Sequence, residues 1–313
     1  MAQPLPATTT YQRAGAAAGL SEDEAEQRIR QLCLHLEFFA SHPPLAMRPL
    51  SQGSTNLSYW VQTIRGEYVV RHYSPDVTGV CRQQELRCQH AAAVAELAPA
   101  PLCLNNHQQV LISEFLPAGQ PLQLTSVRID AMASQLVRLH RLQVQTPLLH
   151  PGRYLQELKS HASGPWLEAQ ATVFKQLVAV VLAFEQMPQD QVLCHLDLHA
   201  GNLLWQEGRI WLLDFEYAQL ADSSLDLASL LENFPLPSEQ SQQLLTRYYQ
   251  QRNVGIHPAL LRKKLAAARV LYQGFCWLWY LALPEGRLQA QSHLQRLQQV
   301  LQLWQAESKL KTT

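Results

Sequence analysis

Three side chains in this sequence have the types and spacing to do chemistry together. Asp197 is followed five residues later by Asn202, and Asp214 closes an apolar run twelve residues beyond that. One carboxylate can orient an attacking hydroxyl and accept its proton. One amide and a second carboxylate can hold a hard cation such as Mg²⁺ through oxygen. These are the parts of phosphoryl transfer, in which an enzyme contributes positioning and charge neutralisation more than covalent chemistry.

The same letters admit a second reading. His195 and His199 stand four apart, as in zinc sites of the form H-E-x-x-H. That chemistry needs a helix and a Glu beside the first His. Here residues 192–198 read as a strand entering a loop, Leu196 holds the second position, and Gly201 follows to let the loop turn tightly. The zinc reading is rejected.

The elements that must position these residues are legible from their patterning. Ser21-Glu-Asp-Glu24 has capping-box spacing and opens a helix running to about Phe39. Residues 57–64 and 67–71 are β-rich runs joined by Arg65-Gly66, a hairpin signal. A helix follows over roughly 80–97, then two short strands ending at Phe115. Residues 116–121 suit a hinge. Beyond it, helices are expected at about 125–143, 151–162, 166–187, 222–233, 238–252, 258–283 and 287–307, interrupted by a strand–loop–strand segment at 192–214. The expected division is a loose tail over 1–20, a lobe over 21–115, the hinge, and a helical lobe over 122–313.

The motif H-x-D-x-x-x-x-N at 195–202, followed by a strand ending on Asp214, resembles the catalytic loop and metal-binding Asp of the protein-kinase superfamily. The fuller text HLDLHAGNLL and LLDFEYA resembles the aminoglycoside phosphotransferase, choline/ethanolamine kinase and thiamine kinase branch. The resemblance implies an α+β, protein-kinase-like two-lobed fold, with a small sheet-plus-helix N-lobe, a mainly helical C-lobe, and ATP and Mg²⁺ as cofactors. It makes Asp197 the catalytic base, Asn202 and Asp214 metal ligands, and His195 and Asp226 supports of the catalytic loop. Gly53-Ser54-Thr55-Asn56 is similar to the nucleotide-covering loop of choline kinases, although a plain β-turn explains it equally well. Arg71 stands where such enzymes clamp phosphate with a basic residue. Glu85 is its natural ion-pair partner or else an exposed helix charge, and Glu114-Phe115 fits the adenine-contacting hinge. No D-F-G or A-P-E element follows Asp214, which disfavours a protein kinase. The complete polar triad argues against a nucleotide-binding pseudokinase.

The acceptor side is less specific. Glu216 lies near the metal and substrate region in the related families, and Asp222 either faces substrate or caps the helix at 222–233. Trp277 and Tyr280 share a helix face and are either core or an aromatic wall for a cation. An acidic rim backed by aromatics favours a small cationic alcohol of the thiamine, choline or ethanolamine type, with an aminoglycoside or other small molecule as the alternative acceptor.

Composition agrees with a small-molecule enzyme. Over 313 residues, 25 basic side chains balance 25 acidic ones and only 16% of residues are charged. That leaves no electrostatic footprint for nucleic acid or an anionic membrane. Six scattered cysteines without a C-x-x-C pair read as free thiols, and no stretch is apolar enough for membrane insertion. A cytoplasmic protein is expected, and no feature fixes its oligomeric state.

Overall fold

The computed structural model describes residues 22–50, 57–73, 80–162, 164–253, 255 and 257–309. They divide into two compact units. The smaller contains helix α1 (Glu22–His35) and strands β1 (Ala46–Pro49), β2 (Leu57–Thr63), β3 (Gly66–His72), β4 (Pro101–Asn105) and β5 (Val110–Glu114). These strands form one sheet in the order β1-β2-β3-β5-β4. Alternation along β2 sends Tyr59, Val61 and Thr63 inward, as a half-buried strand should. Ile29, Cys33, Leu36 and Phe39 pack with Tyr59, Val61, Val70, Val110 and Ile112 into a core of their own. The β2–β3 register pairs Thr63 with Gly66, so the loop residues are Ile64 and Arg65. The hairpin therefore turns one residue earlier than the Arg65-Gly66 signal suggests, because the Thr63 hydroxyl accepts the Arg65 N–H and fixes the turn there.

The larger unit begins with α2 (Arg82–Val94). The sequence division put this helix with the N-terminal sheet. Its buried side chains instead belong to the large unit's core. Cys88 and Ala92 join that core, Gln84 donates to the Ala218 carbonyl at 2.8 Å, and the Leu97 carbonyl accepts the Leu212 N–H at 2.8 Å.

The rest of this unit comprises β6 (Gln120–Pro121), α3 (Ile129–His140), α4 (Pro151–His161), α5 (Pro165–Glu168), α6 (Ala171–Glu185), β7 (Gln191–Cys194), β8 (Leu203–Gln206), β9 (Arg209–Leu212), β10 (Gln219–Asp222), α7 (Ser223–Asn233), α8 (Ser238–Arg252), α9 (Pro258–Ala282) and α10 (Arg287–Lys309). Two strands escape the sequence reading because they are short: β6 pairs with β8, and β10 pairs antiparallel with β7. The single helix expected over 166–187 is two, broken at Ala169 and Gln170. No helix among the described residues is long and apolar enough to cross a membrane.

Helix α9 is the axis of this unit and packs against α10, α7, α6 and α4. Gly274 allows its close approach to α6, since a Cβ there would lie 2.6 Å from both Leu177 methyl carbons. Glu232 of α7 is held by Arg269 at 2.5 Å, Arg296 at 2.7 Å and Gln273 at 2.8 Å, which ties α7, α9 and α10 together. A second clamp is almost fully enclosed. Lys264 pairs with Asp222 and also donates to the Pro188 carbonyl, with both side chains at most 2% exposed.

Breaking a buried pair from one side leaves an uncompensated charge, which costs about 3–5 kcal/mol. Lys264→Ala is expected to lower the unfolding free energy obtained from urea titration by that amount, and adding Asp222→Ala should recover part of it. A single variant as stable as the parent in denaturant titration would contradict this clamp.

Candidate active site

The loop after β7 contains a strained residue, and its surroundings show how the strain is held. Leu196 adopts φ 67°, a left-handed conformation unusual for a bulky side chain, and Asp214 adopts φ 64°. Such residues cost of order 1–3 kcal/mol each and persist only where the surroundings over-determine them. Here Asp226, in the first turn of α7 and fully buried, supplies the restraint. Its Oδ1 accepts the Leu196 N–H at 2.7 Å. Its Oδ2 accepts the His195 N–H at 2.9 Å and the His140 Nε2–H at 2.9 Å. One turn on, the Ser229 hydroxyl accepts the Leu198 N–H at 3.0 Å.

His195 links this loop to the second segment. It is buried against Phe215 and donates from Nε2 to the Leu213 carbonyl at 2.8 Å, while the Leu213 N–H donates to the Asn202 carbonyl at 2.9 Å. Residues 195–202 and 213–215 are thereby fixed together. His195 points into the protein and His199 toward Asp197, so the two imidazoles do not share a metal. His140, Cys194 and Asp226 do bring ligand-type atoms within 4.8 Å of one another. Their groups are already committed: His140 Nδ1 to the Tyr248 hydroxyl at 2.7 Å, Cys194 Sγ to the Ala221 and Asp222 carbonyls, and both Asp226 oxygens as above. Burial pushes the Cys194 thiol well up.

Asp197 is 29% exposed at the mouth of this loop. Its Oδ2 accepts from the Asn202 amide at 2.8 Å and faces His199 Nε2 at 3.4 Å. Burial raises the Asp197 pKa, but the His199 hydrogen bond and charge, with His195 and Asn202, outweigh it and hold the carboxyl below its ordinary value. For His199 the balance runs the other way: burial lowers its pKa, and the bond and charge of Asp197 with the charge of Asp214 carry it above normal. The Asn202 amide also donates to the Asp197 backbone carbonyl at 3.0 Å. Its N–H groups are thus spent on Asp197, and Oδ1 remains for a cation. Asn202 Oδ1 and the Asp214 carboxylate form an all-oxygen donor set that fits Mg²⁺.

Around Asp197 stand half-buried side chains that sequence reasoning missed. Tyr154 of α4, Tyr217, and Tyr272 and Cys276 of α9 have pKa values raised by burial first and then by neighbouring groups that include Asp197. The Cys276 thiol is pushed up to about 12. Tyr154 meets Phe275 edge-on at 5.0 Å, and the Tyr272 hydroxyl accepts from Asn233 at 2.6 Å. The Tyr217 hydroxyl is buried with no hydrogen-bond partner among the described residues. Of the two readings of Trp277 and Tyr280, core or aromatic wall, their packing fits core. Trp277 is fully buried beside Trp166, and Tyr280 stacks on His293 of α10 at 5.2 Å. The face that reaches the Asp197 field carries Tyr272 and Cys276, four apart.

Two acidic residues expected on the acceptor side are engaged elsewhere. Asp222 caps α7, with Oδ1 accepting from the Ser224 N–H at 3.0 Å and Oδ2 from the Asp190 N–H at 2.7 Å as well as Lys264. That leaves it no oxygen for a substrate. Glu216 is buried and pairs with Arg82 of α2 at 3.1 Å, and Arg82 also reaches Glu85 at 3.0 Å. Arg82 carried no signal in the sequence reading.

In the smaller unit, Arg71 stands on β3 opposite Ser58 and Leu111. Glu114 ends β5 opposite Tyr68, and Phe115 lies edge-on to Trp60 at 6.3 Å. Gly53, Ser54, Thr55 and Asn56 lie outside the described residues.

A small antiparallel sheet in one unit and a mainly helical second unit, whose short strands are followed by segments carrying Asp197, Asn202 and Asp214, define a kinase-like fold. The chain belongs to the phosphotransferase enzyme family, whose model matches residues 46–262. A curated relative, the protein LicA of Haemophilus influenzae, is 34% identical over 110 residues, spanning 34% of this chain and 32% of LicA. The match thus covers about a third of that relative's length. Among solved structures, choline kinase LicA from Streptococcus pneumoniae superposes with TM-score 0.74 at 18% identity, covering 89% of this chain and 99% of that one. A structure of LicA in complex with AMP gives TM-score 0.71 at 18% identity over 90% and 99%. These likenesses establish the protein-kinase-like fold.

The bracing role of Asp226 has a direct consequence. Asp226→Ala strands three buried donors, each costing about 1–3 kcal/mol. Stability to urea should fall by roughly 3 kcal/mol or more, with amide exchange at His195 and Leu196 rising first. Unchanged protection at those two amides would show that the loop is held by something else.

Proposed function

We propose that this chain is an ATP- and Mg²⁺-dependent kinase that transfers the γ-phosphate to the hydroxyl of a small cationic alcohol of the choline or ethanolamine type. The observation that carries the reading is the Asp197 carboxylate, held ionised by Asn202 and His199 inside a surround of Tyr154, Tyr217 and Tyr272. A negative charge with tyrosines in its field suits a cation bearing a hydroxyl. The choline kinase LicA, which shares the fold, supports that acceptor class, and the LicA complex with AMP supports a nucleotide as donor.

In this mechanism Asp197 orients the acceptor hydroxyl and takes its proton as the oxygen attacks the γ-phosphorus. The bond from the γ-phosphorus to the bridging oxygen breaks, and that oxygen departs with ADP. Asn202 Oδ1 and the Asp214 carboxylate would hold Mg²⁺, which when bound would neutralise charge on the phosphates. His195 and Asp226 keep the loop rigid, so the base does not have to be ordered at each turnover. Arg71 is assigned to phosphate, and Gly53, Ser54, Thr55 and Asn56 are assigned to the nucleotide by the likeness of their sequence to the choline kinase loop. The backbone of Glu114 and Phe115 receives the adenine, and Glu85, held by Arg82, steadies the basic side of the site. Glu216, also on Arg82, sets the segment after Asp214 rather than binding the acceptor. The reaction belongs in the cytoplasm, where ATP is abundant, and the six cysteines are free thiols there.

An ADP-release assay with Mg²⁺-ATP across choline, ethanolamine, thiamine and several aminoglycosides tests this reading. Choline or ethanolamine should support turnover, chelation of Mg²⁺ should stop it, and Asp197→Ala should lower kcat about 10²–10⁴-fold with ATP binding retained. ADP release with aminoglycosides alone would overturn the acceptor, and none with any alcohol would overturn the reaction. Tyr272→Leu removes one aromatic face, worth roughly 1–2 kcal/mol to a desolvated cation, so the KM for the acceptor should rise about 5–30-fold. An unchanged KM would remove Tyr272 from the acceptor wall.

A further inference from the structure

We propose that His199 is a positioning residue for the base: its Nε2–H and the Asn202 amide together occupy Oδ2 of Asp197, leaving Oδ1 as the oxygen that takes the acceptor's proton. This rests on the kinase reading above and adds to it the atom that acts and the residue that selects it.

The geometry follows from the turn over residues 200–202. His199 precedes that turn, and its Nδ1 accepts the Gly201 N–H at 3.0 Å. A ring nitrogen that accepts a hydrogen bond carries no proton, so in the neutral ring the hydrogen is on Nε2, the atom 3.4 Å from Asp197 Oδ2. The Asn202 amide reaches the same oxygen at 2.8 Å. Among the described residues no group donates to Asp197 Oδ1. The 2.8 Å Asn202 bond and the longer 3.4 Å His199 contact converge on one carboxylate oxygen, and the other oxygen is left for the incoming hydroxyl.

Gly201 is part of the same device. It is not in the left-handed region, so the backbone does not require glycine there. A Cβ at residue 201 would lie 2.8 Å from His199 Cε1 and 3.0 Å from Nδ1, so the ring would have to shift from its seat. The imidazole occupies the volume that a larger residue would take. The His199 side chain is itself 42% exposed, so its packing is not what holds the loop together, and its removal should leave the fold intact.

Three variants and one spectrum test the assignment. His199→Ala should lower kcat about 10²-fold, the effect of a base displaced by a fraction of an ångström to an ångström, with KM for ATP and acceptor within about threefold of the parent. His199→Gln, whose amide can donate to Oδ2, should recover most of kcat. Gly201→Ala, which pushes the ring from its seat without changing its chemistry, should lower kcat in the same direction. Long-range ¹H–¹⁵N spectra of ¹⁵N-histidine-labelled protein at neutral to mildly alkaline pH, with His199 assigned through the Gln variant, should show the Nε2–H tautomer. A His199→Ala kcat within twofold of the parent, a Gln variant no better than Ala, or an Nδ1–H tautomer would each overturn the proposal. Wild-type protein that transfers phosphate to no alcohol would count against the kinase reading itself, and the tautomer would then decide the seating of His199 on its own.

Discussion

A single buried carboxylate carries the geometry of this site. Asp226 projects from α7 with no solvent contact, and its oxygens are filled by two consecutive backbone N–H groups of the catalytic loop and by the His140 imidazole. A charge so placed is tolerable only when its lone pairs are satisfied. The arrangement therefore works in both directions. The loop must adopt the conformation that presents those amides, including the left-handed Leu196, and the helix must stand where its carboxylate can meet them. His140 extends the network to Tyr248 of α8, so two further helices bear on the placement of one loop.

From that anchor the reactive groups follow in short steps. His195 turns inward and binds the Leu213 carbonyl, which brings the segment carrying Asp214 alongside the loop carrying Asp197 and Asn202. Each reactive side chain thus sits within a few bonds of a buried, hydrogen-bonded neighbour. A site held this way has little reorganisation left to do in the transition state, which is where preorganised electrostatics lower a barrier most. α4 and α9 contribute Tyr154 and Tyr272, which lie within the field of the Asp197 charge.

The family was legible because H-x-D-x-x-x-x-N and the strand ending on Asp214 keep particular residue types at fixed separations. The long helices were legible from periodicity, and α8 is bounded as expected at residues 238–252. What escaped depends on three-dimensional partners. β6 and β10 are too short to show a period, and each exists because another strand pairs with it. α2 sits in the larger unit because Gln84 and Cys88 both meet the Ala218 carbonyl, far away in sequence. An aromatic-rich helix such as α9 offers several faces, and only packing against α5 and α10 shows that Trp277 and Tyr280 are spoken for. Gly201 illustrates the same limit. The sequence suggested a tight turn, whereas a Cβ at that position would push the His199 ring from its seat.

The central claim is that Asp197 serves as the base in phosphate transfer from ATP to a cationic alcohol. Rapid-quench single-turnover transfer of γ-labelled phosphate from Mg²⁺-ATP to choline or ethanolamine, comparing the parent with Asp197→Asn, tests it most directly. The account predicts labelled phosphoester from one of these alcohols with the parent. With Asn, which keeps the shape of the side chain but cannot accept the proton, it predicts a transfer step slowed by about 10²–10⁴-fold. Equal single-turnover rates for the two proteins would contradict it.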